Sequence, residues 1–390
     1  MPSPSVRISE ISESDLEGWE VYIEAMKRIH DGQDILTVCI GDHDFPTPFD
    51  SVAACKKALD DGHHKYSEIQ GQPALLEAIA KVSAKACGMP VSPAEVIAMP
   101  GGQGGLYASM QAILNPGDNI IIVSPYYVTY PGTVRAAGGT FTLVEALSED
   151  GFQPKAEAIK AAIQPNTKAV LINSPNNPTC AIYSQDTLQS VADICIKHDL
   201  WLISDEVYWS LSNDQHISPR ALPGMKERTI VVHSMSKSHG MTGWRFGWVL
   251  TSEEMAYYFV QHNLVSTYGM NDFISHAAAA ALNDEIGVKE IADTYRQRGQ
   301  IFYDELKGMN GIRVLNEPGG MYFMLDIRGI TSDAQKFAFA LLDAESVAIM
   351  PGDSFGTSAC GHIRISLCQP EDKLKEAAKR LRRFASTYCE

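Results

Sequence analysis

The most informative stretch of the sequence is Val232–Trp248, which reads VHSMSKSHGMTGWRFGW. It places Lys237 shortly after Thr229–Val232, an apolar run typical of a strand that is buried on both faces. Such strands belong to mostly parallel sheets covered by helices, whose active sites lie beyond the carboxyl ends of the strands. A single loop lysine is usually a surface residue, so the neighbouring sequence has to support a functional role.

The sequence around this motif alternates between strand-like and helix-like segments. The other apolar, β-rich runs are Asn119–Val123, Thr140–Val144, Ala169–Ile172, Leu200–Ser204 and Phe246–Leu250. Amphipathic helical stretches lie between runs of this kind, at Leu106–Leu114, Ala156–Ile163 and Leu188–His198. The alternation predicts an α/β fold with a mostly parallel sheet.

The pattern changes near residue 285. A long charged helix at Glu285–Leu306 precedes short strands and two more helices, which indicates a smaller α+β unit. Residues 1–35 look helical but have no core of their own, so we expect them to join that unit. The predicted division is a large domain over residues 48–284 and a small domain over 1–47 and 285–390.

Composition excludes several classes of protein. The 390 residues carry a net charge of −15, and an acidic surface of this kind repels nucleic acid. No run reaches the roughly 18 apolar residues of a membrane span, and the polar N-terminus lacks the features of a signal peptide. The eight cysteines form no C-x-x-C pair. Reduced thiols and a cytoplasmic location are therefore expected.

The residues around Lys237 suggest a phosphate ligand. Ser234 and Ser236 flank the lysine closely, and Arg245 follows eight residues later in a turn with Gly243 and Gly247. Arginine binds phosphate through a bidentate fork. A lysine beside a phosphate anchor indicates Schiff-base chemistry with a phosphorylated aldehyde.

Further motifs occur in order along the chain: PGGQGGL at 100–106, SPYYVTYP at 124–131, SPNNPT at 174–179, WLISDEVY at 201–208 and GHIRISL at 361–367. With the lysine motif, they resemble the class I/II aminotransferases of the fold-type-I pyridoxal-phosphate (PLP) group, from about Ile35 to Leu381. The resemblance is to the subgroup of aspartate, aromatic and arginine–pyruvate transaminases. It implies a seven-stranded sheet, a smaller α+β domain, bound PLP, a homodimer and ping-pong transfer of an amino group from an L-amino acid to a 2-oxo acid.

The resemblance also implies roles for individual residues. Lys237 matches the Schiff-base lysine, which moves the substrate proton, and Asp205 matches the partner of the pyridinium nitrogen. Tyr208 and Asn177 match the two residues that form hydrogen bonds to the phenolic oxygen of the cofactor. The other matches are Gly101, Gly102, Gln103, Ser234 and Arg245 at the phosphate, Tyr127 on the ring, Tyr66 at the phosphate of the neighbouring subunit, and Gly41, Asn177 and Arg364 at the substrate. Tyr126 and Tyr130 are expected to pack structurally.

Two positions depart from the family pattern. Cys180 stands where the family usually has glycine, which predicts a reshaped turn beside Asn177, because cysteine tolerates positive φ poorly. His43 stands at a usual proline, and we expect a solvated loop histidine there. The pair His63–His64 lacks an accompanying H-E-x-x-H or Cys/His set, so no metal site is predicted.

The substrate stays open between arginine, aspartate and a broad range. The stretch Ala98–Val134 contains no Lys or Arg to bind a second carboxylate, which disfavours a strict aspartate enzyme. The guanidinium of arginine requires a carboxylate, which Asp42 or Glu68 could supply. One alternative is a PLP-dependent C–S β-lyase on the same fold. The other, a non-catalytic regulator, is disfavoured by the complete catalytic set.

Overall fold

The computed structural model describes residues 2–12, 18–212, 216–315 and 320–388. The helices in these residues are α1 Val6–Ser12, α2 Glu20–His30, α3 Phe49–Asp60, α4 Pro73–Cys87, α5 Gly101–Ile113, α6 Tyr130–Ala136, α7 Ala156–Ala161, α8 Gln185–Lys197, α9 Met235–Ser238, α10 Glu253–Ser266, α11 Asp272–Leu282, α12 Glu285–Leu306, α13 Ala334–Glu345 and α14 Glu371–Thr387. The strands are β1 Leu36–Thr37, β2 Val96–Met99, β3 Asn119–Ser124, β4 Thr140–Glu145, β5 Thr167–Asn173, β6 Trp201–Asp205, β7 Thr229–Ser234, β8 Gly247–Leu250, β9 Arg313–Val314, β10 Tyr322–Asp326, β11 Val347–Ala348, β12 Met350–Pro351 and β13 His362–Ser366.

A seven-stranded sheet forms the centre of the molecule, in the order β2-β8-β7-β6-β5-β3-β4. The neighbours from β7 through β4 pair in parallel, and β8 is antiparallel to both of its neighbours. The predicted α/β fold with a mostly parallel sheet is confirmed. The sequence analysis missed β2, because these four residues are defined by their pairing with β8, about 150 positions later.

A second sheet, in the order β12-β13-β10-β9, belongs to the C-terminal part of the chain. The N-terminal segment joins this part through parallel pairing of β1 with β11, Leu36 opposite Val347. The two larger sheets lie on opposite sides of the predicted boundary near residue 285, and the exact division into domains stays a prediction. Among the described helices, none is long and apolar enough to cross a membrane.

The parallel strands explain how distant motifs meet. Asn173 at the end of β5 pairs with Asp205 at the end of β6, and Asp205 pairs with Val232 of β7. The motifs that contain Asn177, Tyr208 and Lys237 therefore leave the sheet at one edge, side by side. This edge is where parallel α/β sheets bind their ligands.

Candidate active site

A cavity of about 220 Å³ opens at this edge of the large sheet. Ten of the predicted site residues line it: Gly41, Gly102, Gln103, Tyr127, Asp205, Tyr208, Ser234, Lys237, Arg245 and Arg364. Gly101 and Asn177 adjoin the cavity through contacts with Arg245 and Arg364. Tyr66 is apart from the lining, 85% exposed, with its ring edge-on to that of Tyr268 at 4.9 Å.

Lys237 lies in the short helix α9, which Ser234 caps by accepting a hydrogen bond from the Ser236 amide at 3.1 Å. Its Nζ donates to the carbonyl oxygen of Gly41 at 2.5 Å, so the lysine bridges the large sheet and the N-terminal segment. Burial lowers the pKa of Lys237 from its ordinary value. A larger neutral fraction of the amine makes it a better nucleophile and base.

Asp205 is buried and lines the same cavity. Burial raises the pKa of Asp205 to about 6, although it accepts hydrogen bonds from the Tyr130 hydroxyl at 2.6 Å and the Val207 amide at 3.3 Å. The expectation that Tyr130 only packs is wrong, since its hydroxyl orients this carboxylate. Because its pKa is raised, the charged form of this carboxylate would be stabilised by a cationic group placed beside it.

A hydrogen-bonded series connects the remaining polar residues. Asn177 donates from Nδ2 to the Tyr208 hydroxyl at 3.2 Å and accepts at Oδ1 from Arg364 Nη1 at 2.9 Å. Arg364 Nη2 also donates to the carbonyl of Cys39. The guanidinium lies over the rings of Tyr322 and Phe355, at 4.3 and 4.7 Å from their centroids. These contacts together fix the orientation of the guanidinium, as bidentate binding of a planar carboxylate requires.

The far end of the cavity has the features of an anion site. Helix α5 begins at Gly101, which has φ +76°, and a Cβ added there would lie 2.6 Å from Arg245 Nη2. Arg245 itself takes a left-handed conformation and donates from Nη1 to the Thr242 carbonyl at 2.8 Å. The amide groups of a helix N-terminus and a guanidinium therefore face the same space, which suits a phosphate.

The comparisons with known proteins agree with this geometry. The family profile described as aminotransferase class I and II matches residues 33–381. The chain belongs to this family. It is 40% identical to an arginine–pyruvate transaminase of Pseudomonas aeruginosa, over 93% of each chain, and 36% identical to an aspartate/prephenate aminotransferase of Thermus thermophilus, over 93% and 94%. The structure of Thermus thermophilus aspartate aminotransferase with maleate matches 98% of this chain and 100% of its own, with a TM-score of 0.90 at 34% identity.

The protein is thus a PLP-dependent aminotransferase, and the cavity fits PLP. Lys237 and Asp205 both line it, as attachment of an aldehyde and pairing with a pyridinium require. The glycine turn leaves Arg245 the space to face a phosphate, because a side chain at Gly101 would collide with it. The fit rests on these contacts within the chain itself.

The structure contradicts the expectation at both departures from the family pattern. Cys180 takes φ +55°, a left-handed conformation that glycine adopts readily, and the Asn177 side chain contacts both Tyr208 and Arg364. The expected reshaping of the turn is wrong. The expectation of a solvated His43 is also wrong: its Nε2 lies 3.0 Å from the Ser236 carbonyl, and its Nδ1 lies 2.6 Å from the Tyr295 hydroxyl.

Sequence reasoning missed several residues of the cavity wall. Tyr322 contacts the Tyr208 hydroxyl at 3.4 Å, and a Cβ added to Gly41 would lie 2.1 Å from the Tyr322 hydroxyl. Trp19 and Phe355 also line the cavity. These residues belong to segments that lie far from the lysine motif in sequence. Only the packing of β10 and of the N-terminal segment against the large sheet brings them there.

Proposed function

We propose that this aminotransferase takes its amino group from L-amino acids that lack a second carboxylate, with arginine as the first candidate, and delivers it to a 2-oxo acid. The proposal rests on the cations of the cavity. Among the described residues that line it, the Lys and Arg side chains are Lys237, Arg245 and Arg364. The cofactor aldehyde, its phosphate and the substrate α-carboxylate would engage all three. None is left for the distal carboxylate of aspartate.

A carboxylate that contacts a residue of the cavity wall favours a substrate with a cationic side chain. Asp42 is exposed and accepts a hydrogen bond at Oδ1 from Thr242, a cavity residue, at 2.6 Å. Glu68 is also exposed and lies outside the cavity lining, which makes it the weaker candidate. The relative named arginine–pyruvate transaminase supports the proposal, and those named for aspartate are the reason to test it directly.

The chain's own residues divide the chemistry between them. Bound PLP supplies an electron-withdrawing ring that stabilises negative charge on the substrate Cα. Arg364 binds the α-carboxylate and turns the Cα–H bond toward Lys237. Nζ of Lys237 takes that proton and, in the second half-reaction, returns one to the Cα of the incoming 2-oxo acid. Asp205 holds a negative charge beside the ring nitrogen and keeps its proton in place.

The experiment is a half-reaction titration without an acceptor. PLP-loaded protein is mixed separately with arginine, aspartate, alanine and tyrosine, and absorbance follows conversion of the cofactor from its aldehyde to its amine form. We expect arginine to convert the cofactor to its amine form. Asp42→Asn should lower the second-order rate constant for arginine about tenfold or more, because a charge-assisted hydrogen bond to the guanidinium is lost. The matched control Glu68→Gln should leave it unchanged.

Two outcomes would contradict the proposal. Fastest conversion by aspartate, with no effect of Asp42→Asn, would assign a dicarboxylate donor to the cavity. Release of pyruvate from cystathionine, with the aldehyde form retained, would favour the C–S lyase. The relatives reported above are all named as aminotransferases.

The assembly is part of the proposal. We infer a homodimer in which the exposed Tyr66 reaches the phosphate of the partner's cofactor. A cytoplasmic location is consistent with the cysteines that the structure describes, all of which are free thiols. Sedimentation of the purified protein tests the dimer. A dimer in which Tyr66→Phe leaves PLP affinity unchanged would contradict the role of Tyr66.

A further inference from the structure

A compact group of potential metal ligands lies outside the active site, where the end of α3 meets the start of α11. His63 follows α3, Asp272 is the first residue of α11, and His276 lies one turn later on the same face of that helix. We call these three residues the His–Asp–His cluster. His64, the sequence neighbour of His63, is exposed and does not belong to it.

The distances within the cluster are those of side chains that could share one ion. His63 Nδ1 lies 3.0 Å from Asp272 Oδ2, and His276 Nε2 lies 3.9 Å from Asp272 Oδ1. One ligand atom from each residue can be chosen so that all three lie within 4.8 Å of one another. Ligand atoms around a tetrahedral zinc ion, at bonds of about 2.0–2.1 Å, are roughly 3.4 Å apart. Small side-chain rotations therefore suffice to bind an ion.

Two of these atoms lack a partner of their own. Asp272 Oδ1 and His276 Nε2 are buried, and neither makes a hydrogen bond to any residue that the structure describes. Their separation of 3.9 Å is too long for a hydrogen bond and close to that of two ligands on one ion. Because unpaired buried polar atoms are costly, a group bound between these two atoms would stabilise the arrangement.

The cluster is also accessible. The side chains of His63 and His276 are 41% and 36% exposed, whereas that of Asp272 is 12% exposed. Rotation of an exposed ring would open the buried Asp272 Oδ1 and His276 Nε2 to an ion and to the waters that complete its coordination. Imidazole nitrogens suit zinc and cobalt, whereas magnesium and calcium prefer a site made of oxygens.

We propose that His63, Asp272 and His276 bind one divalent transition metal ion, Zn²⁺ in the simplest case, through two imidazole nitrogens and a carboxylate oxygen. The sequence alone predicted no metal site, because no H-E-x-x-H or Cys/His set accompanies His63–His64. Asp272, which completes the cluster, is 209 positions from His63. A bound ion would connect α3 to α11 just before the segment that carries Tyr66. It would thereby restrain the part of the chain that we expect to face the partner subunit.

The test is metal binding to the full-length, tag-free, PLP-loaded protein after removal of trace metals. Calorimetric titration with Zn²⁺ should give one ion per chain. Asp272→Asn and His276→Gln, made separately, should each weaken binding roughly a hundredfold or more, since loss of a residue that only supports a ligand already costs 10–100-fold. Zn²⁺ should also raise the thermal midpoint of the wild-type protein but not of these variants.

His64→Gln is the matched control and should bind Zn²⁺ like the wild-type protein. Co²⁺ substitution reports the ligands, since thiolates give strong near-ultraviolet absorption and a nitrogen–oxygen set does not. A thiolate spectrum would place the ion on cysteines, such as Cys87 in the buried group with Glu206 and His233, and would overturn the proposal. Absence of Zn²⁺ binding to the wild-type protein would overturn the proposal as well, and so would an affinity of Asp272→Asn and His276→Gln equal to that of the wild-type protein.

Discussion

Asp205 and Glu206 are consecutive and both fully buried, yet their pKa values shift in opposite directions. Burial raises the pKa of Asp205 to about 6. Burial acts on Glu206 in the same direction, but His216, His233 and the hydrogen bond from Ser218 together outweigh it, and the pKa of Glu206 is lowered. Burial alone therefore does not decide the protonation state of a carboxylate. The supply of donors and cations around it does.

The surroundings of the two carboxylates explain this difference. Glu206 points away from the cavity and accepts hydrogen bonds from Ser204 at 2.9 Å, Ser218 at 2.8 Å and His216 at 2.8 Å. Asp205 points into the cavity, where the cation that would complete it has to come with the cofactor. One carboxylate is satisfied by the fold and stabilises it, and the other is kept available for a ligand.

The largest expected effect comes from Asp205→Asn, which removes the charge that the ring nitrogen requires. We expect the steady-state transamination rate of the PLP-loaded protein to fall about a thousandfold, the loss typical of a preorganised electrostatic contact. The same change should raise the free energy of unfolding of the cofactor-free protein by about 2 kcal/mol at pH 8, measured by urea denaturation.

The pH dependence of that gain follows from the raised pKa. Asp205 favours the folded state at pH values below its unfolded pKa, and this contribution is lost as pH rises through about 6. The advantage of Asp205→Asn should therefore shrink between pH 6 and pH 4. If Asp205→Asn is less stable than the wild-type protein at pH 8, charged Asp205 does not destabilise the cofactor-free fold, and the contrast with Glu206 is wrong.

Glu206→Ala should show the opposite pattern. Removing the carboxylate leaves the buried donors of Ser204, Ser218 and His216 without their acceptor, and we expect a loss of about 1–3 kcal/mol in the free energy of unfolding. Because the pKa of Glu206 is lowered, its contribution is present above the ordinary pKa of the group and is lost as pH falls. Urea denaturation at pH 8 measures the loss.

The folded fraction of Glu206→Ala should keep most of its turnover per bound PLP. Ser218→Ala, which removes one hydrogen bond to the same carboxylate, is the milder control, with about 1 kcal/mol expected. A thousandfold loss of turnover in well-folded Glu206→Ala would show that the two carboxylates act together.

A smaller effect is expected from a change at His43. Like Glu206, His43 supports its surroundings through hydrogen bonds, but its partner lies next to Lys237. Its Nε2 donates to the Ser236 carbonyl, next to Lys237, so its Nδ1 accepts from the Tyr295 hydroxyl. His43→Phe should lower kcat about tenfold with little change in KM, because the lysine loses a positional support.

The pH profile separates positioning from proton transfer. Burial lowers the pKa of His43 to about 4, so this histidine stays neutral throughout the working range. The pH–rate curves of His43→Phe and the wild-type protein should have the same shape between pH 6 and 9. Loss of an ionisation in that range would make His43 a proton carrier instead.

The smallest effect is expected for Cys180→Gly. The substitution removes the backbone strain of a cysteine in the left-handed conformation. It also makes the unfolded chain more flexible and removes the hydrogen bond that Sγ donates to the Tyr322 carbonyl at 3.3 Å. We expect a net change of at most about 1 kcal/mol in stability and no loss of turnover. Cys180→Ala keeps the strain and removes the thiol, so a large loss of activity in both variants would assign the thiol a role.

The sequence predicted the parts of the site that follow strand ends. Asn177, Asp205 and Lys237 each come just after a continuous apolar run, and parallel pairing necessarily brings such positions to one edge. The roles of Tyr130, Tyr322 and His43 could not be predicted in this way. His43 meets Tyr295 across 252 positions, and no local pattern signals a contact that depends on how α12 packs against the N-terminal segment.

The contact between Arg364 and the Cys39 carbonyl joins residues 325 positions apart, and β1 pairs with β11 over a similar span. At about 5–20 residues per second, a ribosome takes on the order of half a minute to make the intervening chain. Throughout that time, the N-terminal segment exists without the strands that hold it. A nascent chain that stalls between residues 237 and 364 therefore has its lysine but not its substrate pocket.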